Sequence, residues 1–332
     1  LGLARHPLLI ERAKLFADRF GTGATASRLI SGAFDCMLDV EAKLARLKSA
    51  EATLLMSTGY QCNVSLIPAL ADNNTVIFSD ELNHNSIIQG IKLSGCDKII
   101  YAHNNLDQLE SLLAANVNRA RKVIVTESVF SMDGDSSDID RIKQLSDRFN
   151  ALLIVDEAHA TGVLGEGGMG LTVGKSIDVT IGTFGKALGS FGAYVATSSK
   201  IREYLINCCP GFIYTTALPP TVIGAIDAAL DLVPTMDKER LRLQQNAQKV
   251  RRTLQQQGYQ TGASCTQIIP VLIGDEQQTL ALSQRLDGAG ILATAIRPPT
   301  VPAGGSRIRL ALSAAHTQQH IDRLLDTFAA AR

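Results

Sequence analysis

Short β-rich runs alternate with helical patterns through the middle of the chain. Between two of these runs, Ile139, Ile142, Leu145 and Phe149 recur close to the 3.6-residue period of a helix, and Asp138 precedes them as the N-cap. Such alternation predicts an α/β fold whose mainly parallel sheet is covered by helices on both faces. The strand candidates are Thr75 to Phe78, Lys122 to Thr126, Leu152 to Val155, Val179 to Thr183 and Ala193 to Thr197.

The pattern changes after Pro219 and Pro220, where we predict a helix to about Leu232 and a long polar helix from Lys238 to Gln257. The shorter elements that follow indicate a small α+β domain. They are strands at Ile268 to Ile273, Thr294 to Ile296 and Arg307 to Leu312, a helix around Thr279 to Leu286, and a final helix with Ile321, Leu324, Leu325 and Phe328. We therefore expect a partial N-terminal segment at 1–22, a large domain at 23–225 and a small domain at 226–332.

The composition excludes several partner classes. Lys plus Arg and Asp plus Glu both number 32 in the 332 residues, so no global field attracts the chain to nucleic acid or to an anionic membrane. No apolar run reaches the roughly 20 residues that cross a bilayer, and the start lacks the order of a signal peptide, which favours the cytoplasm. The six cysteines have neither zinc-site nor disulfide spacing. His316 and His320 stand four apart, but two solvent-facing histidines are favoured over a metal site.

Two nucleotide-binding interpretations compete with the one developed below. Asp156 to His159 spells the acidic box of a helicase family, and Gly174 to Ser176 resembles the end of a phosphate-binding loop. That loop requires a glycine at the position of Met169 and normally precedes the acidic box, so an NTPase is disfavoured. A nicotinamide-binding fold is disfavoured too, because no G-x-G-x-x-G joins the first strand to its helix.

Asp156 and Lys186 carry the candidate chemistry. Asp156 ends an apolar strand, so its carboxylate is expected at the carboxyl edge of the sheet, where open α/β sheets bind ligands. Lys186 follows another β run, and the neighbouring Gly185 and Gly189 let a bulky group approach the backbone. An amine for the aldehyde and an acid for the ring nitrogen are two requirements of a pyridoxal-phosphate site, together with an imidazole or aromatic ring and N–H donors for the phosphate.

Three segments of the chain resemble the α-oxoamine synthases, decarboxylating acyltransferases that use pyridoxal 5'-phosphate. They are Val155 to Gly162, Thr183 to Lys186 and Ile213 to Pro220. The resemblance covers nearly the whole chain and implies the aminotransferase-like fold of type I, with a large domain around a mainly parallel sheet plus a small C-terminal α+β domain. It also implies a homodimer in which the active sites are shared between subunits.

The resemblance assigns roles to individual residues. Lys186 matches the lysine that binds the cofactor's aldehyde, Asp156 the partner of the pyridine nitrogen, and His159 the histidine near the ring's phenolic oxygen. His84 matches the imidazole that stacks on the cofactor ring. The further cofactor contacts that it implies are Gly59 and Tyr60 at a helix start, Ser131, Thr183, and Thr215 and Thr216 toward the neighbouring subunit's phosphate.

The tail of the chain indicates the substrates. The stretch from Ala295 to Gly304 is most similar to the family member that condenses L-alanine with a pimeloyl thioester, carried on CoA or on an acyl carrier protein. The resemblance implies that Thr300 and Arg309 contact the substrate, with Arg309 forming a bidentate pair with the amino acid's carboxylate. Because Arg307 faces the same side of an extended strand, the sequence alone permits confusion between the two arginines.

Alternatives within the family remain open. A glycine C-acetyltransferase would share the same residues, and a non-catalytic partner subunit would typically lack the lysine that Lys186 supplies. Met37 stands where relatives usually carry a histidine. The first residues resemble a segment that follows an N-terminal arm in the family. We therefore expect this arm to be missing here and turnover to be reduced.

Overall fold

The computed structural model describes residues 1–331, which form two compact units. The larger unit comprises residues 2–128 and 137–236, and the smaller one comprises Leu1, residues 129–136 and the chain from Asp237 onward. The division along the chain therefore comes after Met236, and the short segment 129–136 belongs with the C-terminal residues. The domain limits expected from the sequence, at residues 22 and 225, stay predictions.

The larger unit alternates helices with strands. Its elements are α1 (Pro7–Phe20), α2 (Asp35–Leu47), β1 (Ala52–Met56), α3 (Gly59–Leu70), β2 (Thr75–Asp80), α4 (Asn85–Ser94), β3 (Asp97–Tyr101), α5 (Leu106–Ala115), β4 (Arg121–Glu127), α6 (Ile139–Arg148), β5 (Leu152–Asp156), β6 (Val179–Thr183), β7 (Ala193–Thr197), α7 (Ser199–Cys208), α8 (Pro210–Ile213) and α9 (Pro220–Leu232). The five strands expected from the sequence are all present, and the predicted helix α6 begins after Asp138, whose side chain accepts a hydrogen bond from the Arg141 N–H at 3.0 Å.

The strands form a seven-stranded sheet in the order β1-β7-β6-β5-β4-β2-β3. The five strands from β6 to β3 are parallel to one another, whereas β7 runs antiparallel to both β6 and β1. The mainly parallel sheet confirms the predicted α/β class. β6 and β7 are joined by residues 184–192, and this short connection allows only an antiparallel pair, because a parallel pair needs a crossover of a dozen or more residues.

Side chains of the central strands alternate between two apolar cores. Val123 and Val125 of β4 pack in one core with α3 and α4, whereas Ile124 packs in the other with α5 and α6. This two-residue period buries both faces of the sheet, as expected of a parallel sheet between helical layers.

The smaller unit contains an antiparallel sheet covered by helices. Its elements are α10 (Asp237–Gln256), β8 (Ile268–Gly274), α11 (Glu276–Gly288), β9 (Thr294–Ile296), β10 (Ser306–Ala311) and α12 (Gln318–Ala330), with the strand order β8-β10-β9. These bounds confirm the predicted elements to within a few residues at their ends. Within residues 1–331, no helix has both the length and the apolar character required to span a membrane.

Candidate active site at the carboxyl edge of the sheet

Three polar residues lie at the carboxyl ends of neighbouring strands. Glu127 ends β4 and pairs in register with Asp156 at the end of β5, while Thr183 ends the adjacent β6. Because these strands are parallel, all three side chains lie at the same edge of the sheet, where open α/β sheets bind ligands. Lys186 follows Thr183 in the loop between β6 and β7, so the hairpin places this amine at the same edge.

A cavity of about 340 Å³ lies at this edge. Seven of the residues that the sequence predicts for the site line it, namely Gly59, Tyr60, His84, Asp156, His159, Thr183 and Lys186. The remaining walls include Asn63, Ser86, Glu127 and Phe191. The structure therefore brings the amine, the acid and the imidazole of the predicted constellation around one space.

Asp156 is buried and held by two donors. One carboxylate oxygen accepts from the Ala158 N–H at 2.8 Å, and the other accepts from Asn63 Nδ2 at 2.7 Å. The Lys186 Nζ lies 2.8 Å from His159 Nε2, so these two predicted catalytic side chains are within hydrogen-bond distance. Asp156 and Lys186 both line the cavity, as an acid and an amine serving one small ring must do.

His84 is the N-cap of α4 and is fixed at both its backbone and its ring. Its N–H donates to the Glu127 carboxylate at 2.6 Å, and its Nδ1 lies 2.8 Å from Ser86 Oγ. Burial lowers the pKa of the His84 imidazole; nearby Asp156 opposes this shift and Lys186 adds to it. A neutral imidazole is therefore favoured against the cavity near neutral pH.

Glu127 is a buried acidic residue, and its burial changes the pKa of its carboxyl group. Burial is the largest cause that raises its pKa well above its ordinary value, and the neighbouring Asp156 raises it further. Glu127 therefore stays neutral to higher pH than an ordinary carboxyl group.

The start of α3 forms a cradle for an anion. Thr58 caps the helix by accepting from the Gln61 N–H at 3.0 Å, and its carbonyl accepts from the Cys62 N–H at 2.9 Å. The N–H groups of Gly59 and Tyr60 have no partner among the described residues, and the positive end of the helix dipole lies there.

Thr183 faces the same cradle. A Cβ added at Gly59 would lie 2.6 Å from Thr183 Cγ2, so glycine keeps this corner open. The Thr183 Oγ1 is buried and has no hydrogen-bond partner among the described residues. A buried hydroxyl without a partner costs free energy, and an oxygen of a ligand bound in this cradle would remove that cost.

Glu157, the second residue of the helicase-like box, has a structural partner. Its carboxylate accepts from Lys48 Nζ at 2.5 Å and from Thr172 Oγ1 at 2.7 Å, and both members of the ion pair are buried. Lys175, of the sequence that resembles a phosphate loop, instead pairs with Asp140 at the surface. These contacts of Glu157 hold the segment that follows Asp156, while Asp156 itself lines the cavity.

Thr215 and Thr216 line a different, small cavity of about 20 Å³ together with Met37. Thr215 Oγ1 accepts a hydrogen bond from Gln61 Nε2, and Thr216 forms an isolated β-bridge with Ser27. Within this chain the two threonines are therefore not among the residues that line the cavity of Lys186. Their predicted role toward a neighbouring subunit stays a prediction.

The remaining predicted residues belong to the smaller unit. Arg307 is ion-paired with Asp133 at 2.6 Å, whereas Arg309 donates from Nε to the Ser131 carbonyl at 2.6 Å. The two terminal nitrogens of Arg309 have no acceptor among the described residues, and burial lowers the pKa of its guanidinium, which still stays charged. Arg309 thus offers a free fork to a carboxylate and Arg307 does not. Thr300 is exposed and its N–H donates to the Arg297 carbonyl at 3.0 Å.

The two histidines with metal-like spacing serve backbone groups. His316 Nδ1 accepts from the Ser313 N–H at 3.2 Å, and His320 forms a reciprocal capping box with Thr317 at the start of α12. Among residues 1–331, no group of three or more His, Cys, Asp or Glu side chains is arranged to hold a metal ion.

Asn63, Ser86 and Glu127 were not singled out from the sequence. Asn63 lies one helical turn after Gly59, and Glu127 ends a strand next to that of Asp156. Those two positional signals could have identified them once the cradle and the strand order were assumed.

Known proteins share this fold and much of this sequence. A family model described as aminotransferase class I and II matches residues 1–328. A protein of Desulfosudis oleivorans is 57% identical over 100% of this chain and 87% of its own length. The 8-amino-7-oxononanoate synthase of Gluconacetobacter diazotrophicus is 50% identical over 98% of this chain and 84% of its own length.

Solved structures of similar proteins have the same fold. A serine palmitoyltransferase variant from S. paucimobilis with a bound PLP–myriocin aldimine has a TM-score of 0.95 at 28% identity, covering 99% of this chain and 84% of that one. The 8-amino-7-oxononanoate synthase from Francisella tularensis has a TM-score of 0.86 at 27% identity, covering 99% of this chain and 94% of that one. The chain therefore belongs to the class I and II aminotransferase family.

Proposed function

We propose that this chain is a pyridoxal-phosphate-dependent acyltransferase that makes 8-amino-7-oxononanoate for biotin synthesis from L-alanine and a pimeloyl thioester, releasing carbon dioxide and the thiol. The observation that carries the proposal is the placement of Lys186, Asp156 and His84 around one cavity beside the cradle of α3. Relatives that bear this enzyme's name match nearly the full chain.

The described residues fit the cofactor. Asp156 is a buried acid with a lone pair to offer a pyridine N–H, and Lys186 is an amine in reach of the same cavity. The orphan hydroxyl of Thr183 and the N–H groups of Gly59 and Tyr60 suit a phosphate dianion. When bound, the cofactor supplies an aldehyde for the amine and a ring that draws electrons from the substrate's Cα.

The chain's own residues then move protons and hold charges. Lys186 removes the proton from Cα of L-alanine and later returns one, with His159 Nε2 2.8 Å from its amine to accept or donate a hydrogen bond. Asp156 would pair with the ring nitrogen of the bound cofactor, and His84 would contact its ring. Arg309 binds the alanine carboxylate through its free fork until that carboxylate leaves as carbon dioxide.

The proposal includes a homodimer. Ile30 and Tyr214 are 80% and 82% exposed, although both are large apolar side chains. The segments that carry them lie side by side, because Ser27 bridges Thr216 and the Ala217 N–H donates to the Ala26 carbonyl at 3.0 Å. If a partner subunit covers this apolar face, Thr215 and Thr216 of this chain would lie near the phosphate of the cofactor bound by the partner.

A cytoplasmic location is also part of the proposal. All six cysteines are unbridged thiols in the structure, which suits a reducing compartment.

Substrate choice is tested by carbon dioxide release from L-alanine or glycine, each with a pimeloyl or an acetyl thioester on CoA or on acyl carrier protein. We expect the highest kcat/KM for L-alanine with the pimeloyl thioester. A preference for glycine with acetyl-CoA would replace the proposal with a glycine C-acetyltransferase.

The role of Lys186 is tested by Lys186→Ala beside Lys175→Ala, a surface lysine paired with Asp140. We expect Lys186→Ala to lose the cofactor's covalent absorption band and at least about 10²-fold in turnover, since positioned proton transfer typically contributes that much. An unchanged spectrum in Lys186→Ala would remove the basis of the proposal.

A further inference from the structure

A chain of two buried polar side chains joins Asp156 to His84. Asn63 of α3 and Ser86 of α4 are each 1% exposed. Asn63 Nδ2 lies 2.7 Å from Asp156 Oδ2 and 3.0 Å from Ser86 Oγ, and Ser86 Oγ lies 2.8 Å from His84 Nδ1. The two residues proposed to face the cofactor ring are therefore connected through hydrogen bonds that run beside the cavity.

The direction of these hydrogen bonds follows from the chemistry of the groups. An ionised carboxylate only accepts, so the amide of Asn63 must turn its amino group toward Asp156. The two N–H bonds of that amino group are then used by Asp156 and by Ser86. The Asn63 Oδ1 has no partner among the described residues, so no hydrogen bond opposes this orientation.

The donors around Nδ1 determine which nitrogen of His84 carries the proton. Because the Ser86 hydroxyl accepts from Asn63, its own proton is directed to His84 Nδ1, and the Ser86 backbone N–H donates to the same nitrogen at 3.2 Å. Nδ1 is then an acceptor, and the ring carries its single proton on Nε2. A protonated Nδ1 would face two donors and leave the Ser86 proton without an acceptor.

The helix packing holds the two residues in register. A Cβ added at Gly90 of α4 would lie 2.5 Å from the carbonyl oxygen of Asn63, so the two helices approach closely only because residue 90 is glycine. This approach brings Asn63 within reach of both Asp156 and Ser86.

We propose that Asn63 and Ser86 are positioning residues that keep the His84 ring neutral, with its proton on Nε2, while Asn63 holds the Asp156 carboxylate toward the cofactor nitrogen. The inference rests on the proposed roles of His84 and Asp156. A neutral imidazole can lie against a cationic cofactor ring without repulsion, so Asp156 remains the single charge that pairs with that ring. The charged or titratable groups that face His84 are Asp156, Lys186 and Glu127, and none of them donates to Nδ1.

The test compares Ser86→Ala, which removes the hydroxyl, with Ser86→Thr, which keeps it. Ser146→Ala is the matched control, because Ser146 is also 1% exposed and its hydroxyl has no partner among the described residues. The first readout is the ¹⁵N chemical shift pair of the His84 ring in the cofactor-loaded protein, assigned with a His84→Gln variant. The second is the pH profile of kcat for carbon dioxide release, with KM for L-alanine measured alongside.

We expect the wild type and Ser86→Thr to show an unprotonated Nδ1 and a protonated Nε2. In Ser86→Ala the ring should lose this single tautomer and protonate at higher pH, because a donor to the neutral form is lost. The acid limb of the kcat profile should then move to higher pH, while KM for L-alanine changes less than about twofold.

Three results would overturn the proposal: a wild-type ring protonated on Nδ1, identical ¹⁵N shifts in Ser86→Ala and wild type, or a Ser86→Ala loss of kcat that is the same at every pH and is matched by Ser146→Ala. The ¹⁵N shifts do not require turnover. If the wild type releases no carbon dioxide, the proposed function is wrong. The tautomer of His84 still tests whether Asn63 and Ser86 position this ring.

Discussion

We expect Thr183→Val to raise the stability of the cofactor-free protein and to lower its affinity for the cofactor. The valine keeps the Cγ2 that contacts the Gly59 corner and replaces only the hydroxyl, whose oxygen is buried without a partner. Because an unsatisfied buried polar group costs roughly 1–3 kcal/mol, removing it should stabilise the cofactor-free protein by about 1 kcal/mol.

The loaded protein should show the reverse effect. A hydrogen bond to a charged group is worth about 1.5–3 kcal/mol, so losing the one from Thr183 to the phosphate should weaken cofactor binding roughly 10- to 150-fold. The assay is a urea titration of the cofactor-free protein, followed by an absorbance titration with pyridoxal 5'-phosphate.

Thr53→Val is the matched control for this experiment. Thr53 is also a buried threonine of the larger unit, but its hydroxyl donates to the Glu41 carbonyl at 2.7 Å. Its loss should destabilise the protein by about 1 kcal/mol and leave cofactor affinity unchanged. If Thr183→Val instead behaves like Thr53→Val in both measurements, the hydroxyl of Thr183 is structural and the cradle assignment is wrong.

Three further substitutions have defined outcomes. Burial raises the pKa of Glu127 above its unfolded value, so its contribution to stability is present at low pH and is lost as pH rises through the folded pKa. In urea melts, Glu127→Gln should therefore be more stable than wild type near about pH 8 and about equally stable near about pH 5. A variant less stable than wild type at both pH values would contradict this. Lys48→Met should cost roughly 3–5 kcal/mol by leaving the buried Glu157 carboxylate without its cation, and adding Glu157→Gln should recover part of the loss; additive effects would argue against the pair. Arg309→Lys should raise KM for L-alanine about 10- to 100-fold, whereas Arg307→Lys should chiefly lower stability; the opposite pattern would exchange the two roles.

The fold was largely predictable from apolar runs, and the exceptions have physical causes. The central strands are buried on both faces and therefore appear as continuous apolar stretches, as in Leu152 to Val155. β1 and β3, the two edge strands, were not among the predicted strands, and in β3 the exposed Asp97 and Lys98 break the apolar run. The antiparallel direction of β7 could have been predicted, because the connection between the two predicted strands is too short for a parallel crossover.

The site was predictable where a residue ends a strand or begins a helix. Asp156, Thr183 and Gly59 hold such positions, and each lines the cavity. Asn63 was predictable only once the cradle at Gly59 was assumed, and Ser86 gave no positional signal, because both acquire their role only when α3 and α4 pack together. Their contribution depends on tertiary contacts that a linear pattern does not contain.

The proposed activity requires a covalent bond between the cofactor's aldehyde and the amine of Lys186. Borohydride reduction of the loaded protein, followed by peptide mass spectrometry, measures which lysine carries the cofactor. We expect the added mass on the peptide that contains Lys186, and on no other lysine. A label on another lysine, or none at all, would contradict the assignment of this cavity as the catalytic centre.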